Sequence, residues 1–155
     1  MVAWWECVVR LVLAAALGGV IGWERETRQK PAGLRTQMLV SLAAGLYVVA
    51  ATQGAAAAGE PLDVVRAMAG LAQGIGFLGG GVILHGHGEV RWLTTAAALW
   101  SSAALGFAAG LGLYALAVTS GVLIYAILRW VALLEAWLLR ARNNDARKRW
   151  NDDRD

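Results

Sequence analysis

The sequence predicts an all-α protein whose helices cross a membrane five times, and two observations carry that expectation. Charged residues make up only 16% of the 155, well under the roughly 25% of soluble domains, while 58% are hydrophobic and the mean hydropathy is +0.52. The few charges are also clustered, leaving apolar segments of about 20 residues between them, the length a bilayer demands. The net charge of +3 does not point to nucleic acid. Its basic residues flank apolar segments, where they set topology.

The first span is expected over about 5–23. "MVAWWEC" lacks the positive start of a cleaved leader, so this segment is expected to remain as a helix. The second span is expected over 34–53, the third over 64–84, the fourth over 93–111 and the fifth over 112–139. The fifth is long enough to tilt or to project into the interface. Together 1–139 would form the membrane domain, and 140–155 a short basic tail too small for a packed core.

The segments between spans differ in charge. Residues 24–35 carry Arg25, Arg28, Lys30 and Arg35, residues 54–63 carry Glu60 and Asp63, residues 85–92 carry Arg91, and the tail is basic. The positive-inside bias then places the N-terminus outside and the first loop, third loop and tail in the cytoplasm. On that reading "ERETRQK" is a solvated stop between two spans. "GGVI" at 18–21 recurs at 80–83, each copy ending a span and leading through a charged loop to "GLRT" or "WLTT". A parallel repeat of helices 1–2 and 3–4 is expected from it.

Lipid tails are as apolar as leucine, so spans associate by close packing, which small residues permit. Ala14, Gly18 and Gly22 make such a stripe on the first span, and Ala98, Ser102, Gly106 and Gly110 one on the fourth. The third has Gly70 and Gly74, then Gly76 and Gly80. A compact core of spans one to four follows, with the fifth facing lipid. The stripes also offer surfaces to a second copy or another protein, and a homodimer is expected. "GIGFLGGGVIL" (74–84) admits two readings, since each glycine costs about 1 kcal/mol against alanine in a helix. Gly74, Gly76, Gly79, Gly80 and Gly81 either serve close packing or break the helix so that its carbonyls face an ion. Gln73, a large polar residue near the middle of that span, is either an interhelical hydrogen bond or part of a permeation path.

Glu24 lies one turn beyond Gly18 and Gly22 and is expected to point into the bundle, where a shielded carboxylate needs a partner. Arg35 or Arg91 could supply it, tying the two hairpins together; the alternative is three solvated charges. Thr94 or Thr95 can cap the fourth span, Thr36 the second and Asp63 the third. His85, His87 and Glu89 form a loop pattern too weak for a metal site without a fixed further ligand, so neither metal nor cofactor is expected. The lone Cys7 excludes an intramolecular disulfide. No nucleophile–base set or phosphate loop is visible, so an enzyme is not expected.

The pieces "LGGVIGWERE" (17–26), "KPAGLRTQMLV" (30–40), "GIGFLGGGVIL" (74–84) and "VRWLTTAAALWSSAALGFAAGLG" (90–112) resemble, in order, the membrane domain of the MgtC/SapB family of bacterial inner-membrane proteins. The resemblance implies a multi-pass inner-membrane protein connected with growth in low magnesium and with survival of intracellular bacteria. It also implies partners among other membrane proteins, the F-type ATP synthase or a sensor kinase being examples. It singles out Glu24, Arg25, Glu26, Arg35, Thr36, the glycines 74, 76, 79, 80 and 81, Arg91, Thr94, Thr95 and Trp100. Trp92 stands where the family usually has glycine, and Gly80 where it usually has alanine. Some members carry a soluble domain after the last span, and functions lodged there do not transfer.

Two functions are therefore in view. One is a regulatory protein acting through helix–helix contacts with other membrane proteins. The other is a transporter of Mg²⁺ or another cation through the glycine-rich third span. Mg²⁺ is reluctant to shed water and is usually held by carboxylates, and no acid is expected deep within a span. The first reading is preferred.

Overall fold

The computed structural model describes residues 2–84 and 92–131. Its elements are α1 (Trp4–Thr27), α2 (Leu34–Ala58), α3 (Val64–Leu84), α4 (Leu93–Gly110) and α5 (Tyr114–Ala126), the last continuing into a π-helical turn at Ile127–Val131. Four are long and apolar enough to cross a membrane: α1, α2, α4 and the continuous stretch Tyr114–Val131. The fifth, α3, has 21 residues, about 31 Å at the rise of an α-helix. The fold is all-α, as the sequence predicts. The basic tail, Arg91 and the 85–89 histidine pattern lie outside the described residues.

Helix ends follow local chemistry. α2 stops at Gly59, whose φ of +72° forms a left-handed cap, with the N–H of Glu60 returning to the Ala55 carbonyl at 2.9 Å. α3 starts where Asp63 Oδ1 accepts from the Arg66 N–H at 2.9 Å, the expected cap. α4 meets α5 through a three-residue turn in which Gly112 has φ +81°. A Cβ there would also have to displace the end of the Arg10 side chain, 2.8 Å away at Nη2, but it is the backbone conformation that calls for glycine.

Other ends differ from expectation. α1 runs one turn past Trp23, because nothing breaks it before Gln29 and Ala32 turn left-handed around Pro31. That extra turn makes "ERET" helical rather than a solvated stop. Thr36 lies inside α2, and the residue preceding α4 is Trp92, at φ +64° and with no cap bond from its side chain. Neither Thr94 nor Thr95 has the capping role. Trp92 thus adopts the conformation that glycine adopts most readily.

The core lies among α1, α2 and α4, which pack mutually; α3 rests chiefly on α4, and α5 on α4 and α1. Ala14, Ile21, Ala44, Val48, Ala98, Leu99, Leu105 and Ala109 are buried there. The expected four-helix core is therefore a three-helix core with α3 at its flank. Ile75 is the main apolar anchor of α3, packed with Ala44 and Ala103. Open clefts run along both its sides, about 590 Å³ against α2 and about 610 Å³ against α4. Leu71 and Ile75 line both clefts. α5 is mostly exposed, yet Ala117 and Gly121 are buried.

Candidate functional site

Small residues bring α1, α2 and α4 to backbone contact. A Cβ at Gly18 would lie 2.5 Å from the Gln37 carbonyl oxygen, and one at Gly22 would lie 2.6 Å from the Leu34 Cα. One at Gly110 would lie 2.7 Å from the Gly45 oxygen, and one at Gly106 would run into the Ser41 carbonyl. Gln37, Ser41 and Gly45 stand four apart on α2, the face that receives both neighbours. Ser41 is fully buried and its hydroxyl donates to the Ala14 carbonyl at 2.6 Å. The stripes Ala14–Gly18–Gly22 and Ala98–Ser102–Gly106–Gly110 are thus consumed within one molecule and present no surface to a copy.

At one end of this seam lies a polar cluster. The last turn of α1 buries both Glu24, 2% exposed, and Arg25, 3% exposed. Arg25 Nη2 donates to Thr95 Oγ1 at 2.7 Å, a buried bond linking α1 to α4. Arg28 Nε lies 2.7 Å from Glu24 Oε1, an ion contact without hydrogen-bond alignment. Among the described residues neither Glu24 oxygen accepts a hydrogen bond. Arg28 Nη2 also donates to the Arg129 carbonyl at 3.0 Å, joining α1 to the π turn after α5. Glu26 is exposed, yet its Oε2 accepts from the Leu34 N–H at 3.1 Å and so caps α2 from the preceding helix. A Cβ at Gly33 would fall on that same oxygen. Gln37 Nε2 secures the loop by donating to the Ala32 carbonyl at 3.1 Å.

The cluster differs from the expected one. Arg28, expected in solvent, is the partner of Glu24, because an i,i+4 neighbour on one helix is always within reach. Arg35 is exposed and pairs with no described acid, and Thr36 and Thr94 are exposed too. Thr95 is the member that α4 contributes. With Arg25 and Arg28 against the single Glu24, the described charges leave a positive excess. No group of three or more His, Cys, Asp or Glu residues able to hold a metal occurs among the described residues.

A second polar pair was not foreseen. Glu6 and Arg10 lie within α1, with Arg10 Nη2 2.5 Å from Glu6 Oε1 and Arg10 Nη1 donating to the Gly110 carbonyl at 2.9 Å. It fastens the other end of α1 to the α4–α5 turn. An acid and a base four residues apart inside an apolar span were the available signal.

The α3 glycines contrast with the seam. The helix is continuous from Val64 to Leu84, so of the two readings the broken helix is not what forms. Among the described residues a Cβ at Gly70, Gly74, Gly76, Gly80 or Gly81 would meet nothing within 4 Å, and one at Gly79 only the Ala96 methyl at 3.7 Å. Close packing among the described residues does not account for these five. "GGVI" therefore sits in two environments, tight at Gly18 and open at Gly80. Phe77 is 82% exposed, and Trp100 on α4 is about half exposed beside the α3–α4 cleft.

The chain matches the model of the MgtC family over residues 11–137. It is 39% identical over 117 residues to protein MgtC of Salmonella typhimurium, covering 76% of this chain and 48% of that one. It is 38% identical over 127 residues to the putative magnesium transporter YhiD of Escherichia coli, covering 79% and 59%. A Haemophilus influenzae protein is 39% identical over 137 residues, covering 84% and 58%. The chain thus spans about half the length of the curated relatives it matches. No solved structure matches it significantly. A family match over most of the chain, on the segments that build the three-helix seam and its polar end, makes this protein a multi-pass membrane member of the MgtC family.

Proposed function

We propose that this protein is a regulatory component of the bacterial inner membrane that acts by binding other membrane proteins through α3, in a process linked to magnesium. The observation that carries the reading is the α3 surface. Five of its glycines meet nothing within 4 Å, although each weakens the helix by about 1 kcal/mol against alanine. Small residues that the fold does not use are what a neighbouring helix requires for close approach. The relative named as a putative magnesium transporter and the relative named MgtC support the magnesium link.

Transport is the second reading and has less support. Carbonyls of an unbroken α3 are engaged in its own helix, leaving few ligands for an ion that takes oxygen donors and retains water. Glu24 is the buried acid at the charged end, and Arg25 and Arg28 beside it oppose a dication.

Pull-down from magnesium-starved membranes in mild detergent tests the choice, with the F-type ATP synthase and a sensor kinase as probes. A membrane partner should co-purify with the wild type and be lost from Gly76→Leu, whose unchanged melting temperature shows an intact fold. Mg²⁺ flux into liposomes by the purified protein, abolished in Glu24→Ala, would replace this reading with transport.

A further inference from the structure

The polar residue on the lipid-facing side of α3 narrows the kind of partner. Gln73 is exposed, and its amide makes no hydrogen bond among the described residues. It stands nine residues into the helix, about 14 Å from the start, which is the middle of a span of about 30 Å. It lines neither cleft beside α3. The geometry explains why: Ile75, the buried anchor, is two residues on and therefore about 200° around the helix. Gln73 points away from the molecule where no water can serve it, and an amide there requires another protein group.

We propose that Gln73 marks a two-fold interface in which α3 of one copy packs on α3 of a second copy, the two amides bonding each other. This rests on the reading that α3 is the contact surface, and it names the partner. Copies of one chain insert with the same orientation, so a symmetry axis relating them runs along the membrane normal and each residue meets its counterpart at the same depth. That condition is severe for a lone polar group, because a carboxylate or a guanidinium would meet its own charge. A primary amide both donates and accepts, so two glutamines satisfy each other. Steric demand is met as well. Ala69 and Gly76 are exposed one turn either side of Gln73 on the same face, and no described residue occupies the space around Gly76. At the end of the same face Arg66 lies 3.4 Å from Asp63, so each copy brings its own counter-charge to this basic residue.

The test measures self-association of donor- and acceptor-labelled full chains in liposomes over a dilution series. Gln73→Leu should weaken association roughly three- to thirtyfold, the range expected for a lost interhelical hydrogen bond in lipid, while Gln73→Asn should recover much of the loss. In a Cys7→Ser background, Gln73→Cys should form a disulfide-linked dimer on oxidation and Ile75→Cys should not. Equal association of Gln73→Leu and wild type, or dimers that crosslink through Val122→Cys on α5 and not through position 73, would overturn the proposal. If self-association ignores Gln73 while Gly76→Leu still loses a different partner, the two-copy interface falls and the contact reading stands. If both tests fail, both fall.

Discussion

Gly106 and Gly76 are the same residue, each in the interior of an apolar helix, and their surroundings could hardly differ more. A methyl at Gly106 would strike the Ser41 backbone; a methyl at Gly76 would touch nothing. The first glycine belongs to a seam of three helices that approach at backbone distance. The second belongs to a helix held at the flank by Ile75 and a few neighbours. A small-residue stripe therefore shows that a helix can be approached closely. Whether the approach is spent inside the molecule or left for a partner depends on which helix carries it.

Four substitutions would sharpen or break that comparison, in falling order of effect. Gly106→Leu should prevent recovery of folded protein, because a branched side chain cannot coexist with the Ser41 backbone; monodisperse protein of wild-type melting temperature would place α4 elsewhere. Thr95→Val leaves the buried Arg25 Nη2 without its acceptor and should cost about 2 kcal/mol, within the range for a lost hydrogen bond to a charged group, read by denaturation in detergent. Glu26→Ala removes the cap on Leu34 and should cost about 1 kcal/mol, like other lost N-caps. Gln73→Leu should leave the melting temperature of the monomer unchanged, since no described group in the molecule bonds to that amide.

Much of this fold was legible because its signals are one-dimensional. Charge clusters separated by about 20 apolar residues located α1, α2, α3 and the start of α4, while the uncharged junction before α5 gave no such mark; Asp63 before Val64 gave the α3 cap. The cluster at the charged end was legible only in part. Glu24 pointing inward followed from its phase with Gly18 and Gly22, yet its partner depended on how far α1 continued, and helix ends are decided by loop geometry. Once the helix reached Thr27, Arg28 at its C-cap came within reach of Glu24. Thr95 and Arg25 were both expected at the inner edge, but their bond to one another was not, because only three-dimensional packing brings Arg25 across to α4. On α2, Gln37, Ser41 and Gly45 have the same four-residue spacing that identified the stripes of α1 and α4, and that pattern was available. The status of the α3 glycines was not. Sequence shows that a helix can be approached; it does not show which neighbour arrives.

The most direct test is a paired alanine series in detergent, one set at Gly18, Gly22, Gly106 and Gly110, the other at Gly70, Gly74, Gly76 and Gly80. Every member of the first set should melt lower than wild type, since each added methyl meets backbone or a packed side chain within 3 Å. Every member of the second should melt as high or higher, by up to the roughly 1 kcal/mol that alanine gains over glycine in a helix. Equal losses in the two sets would contradict the division between a packed seam and a free α3.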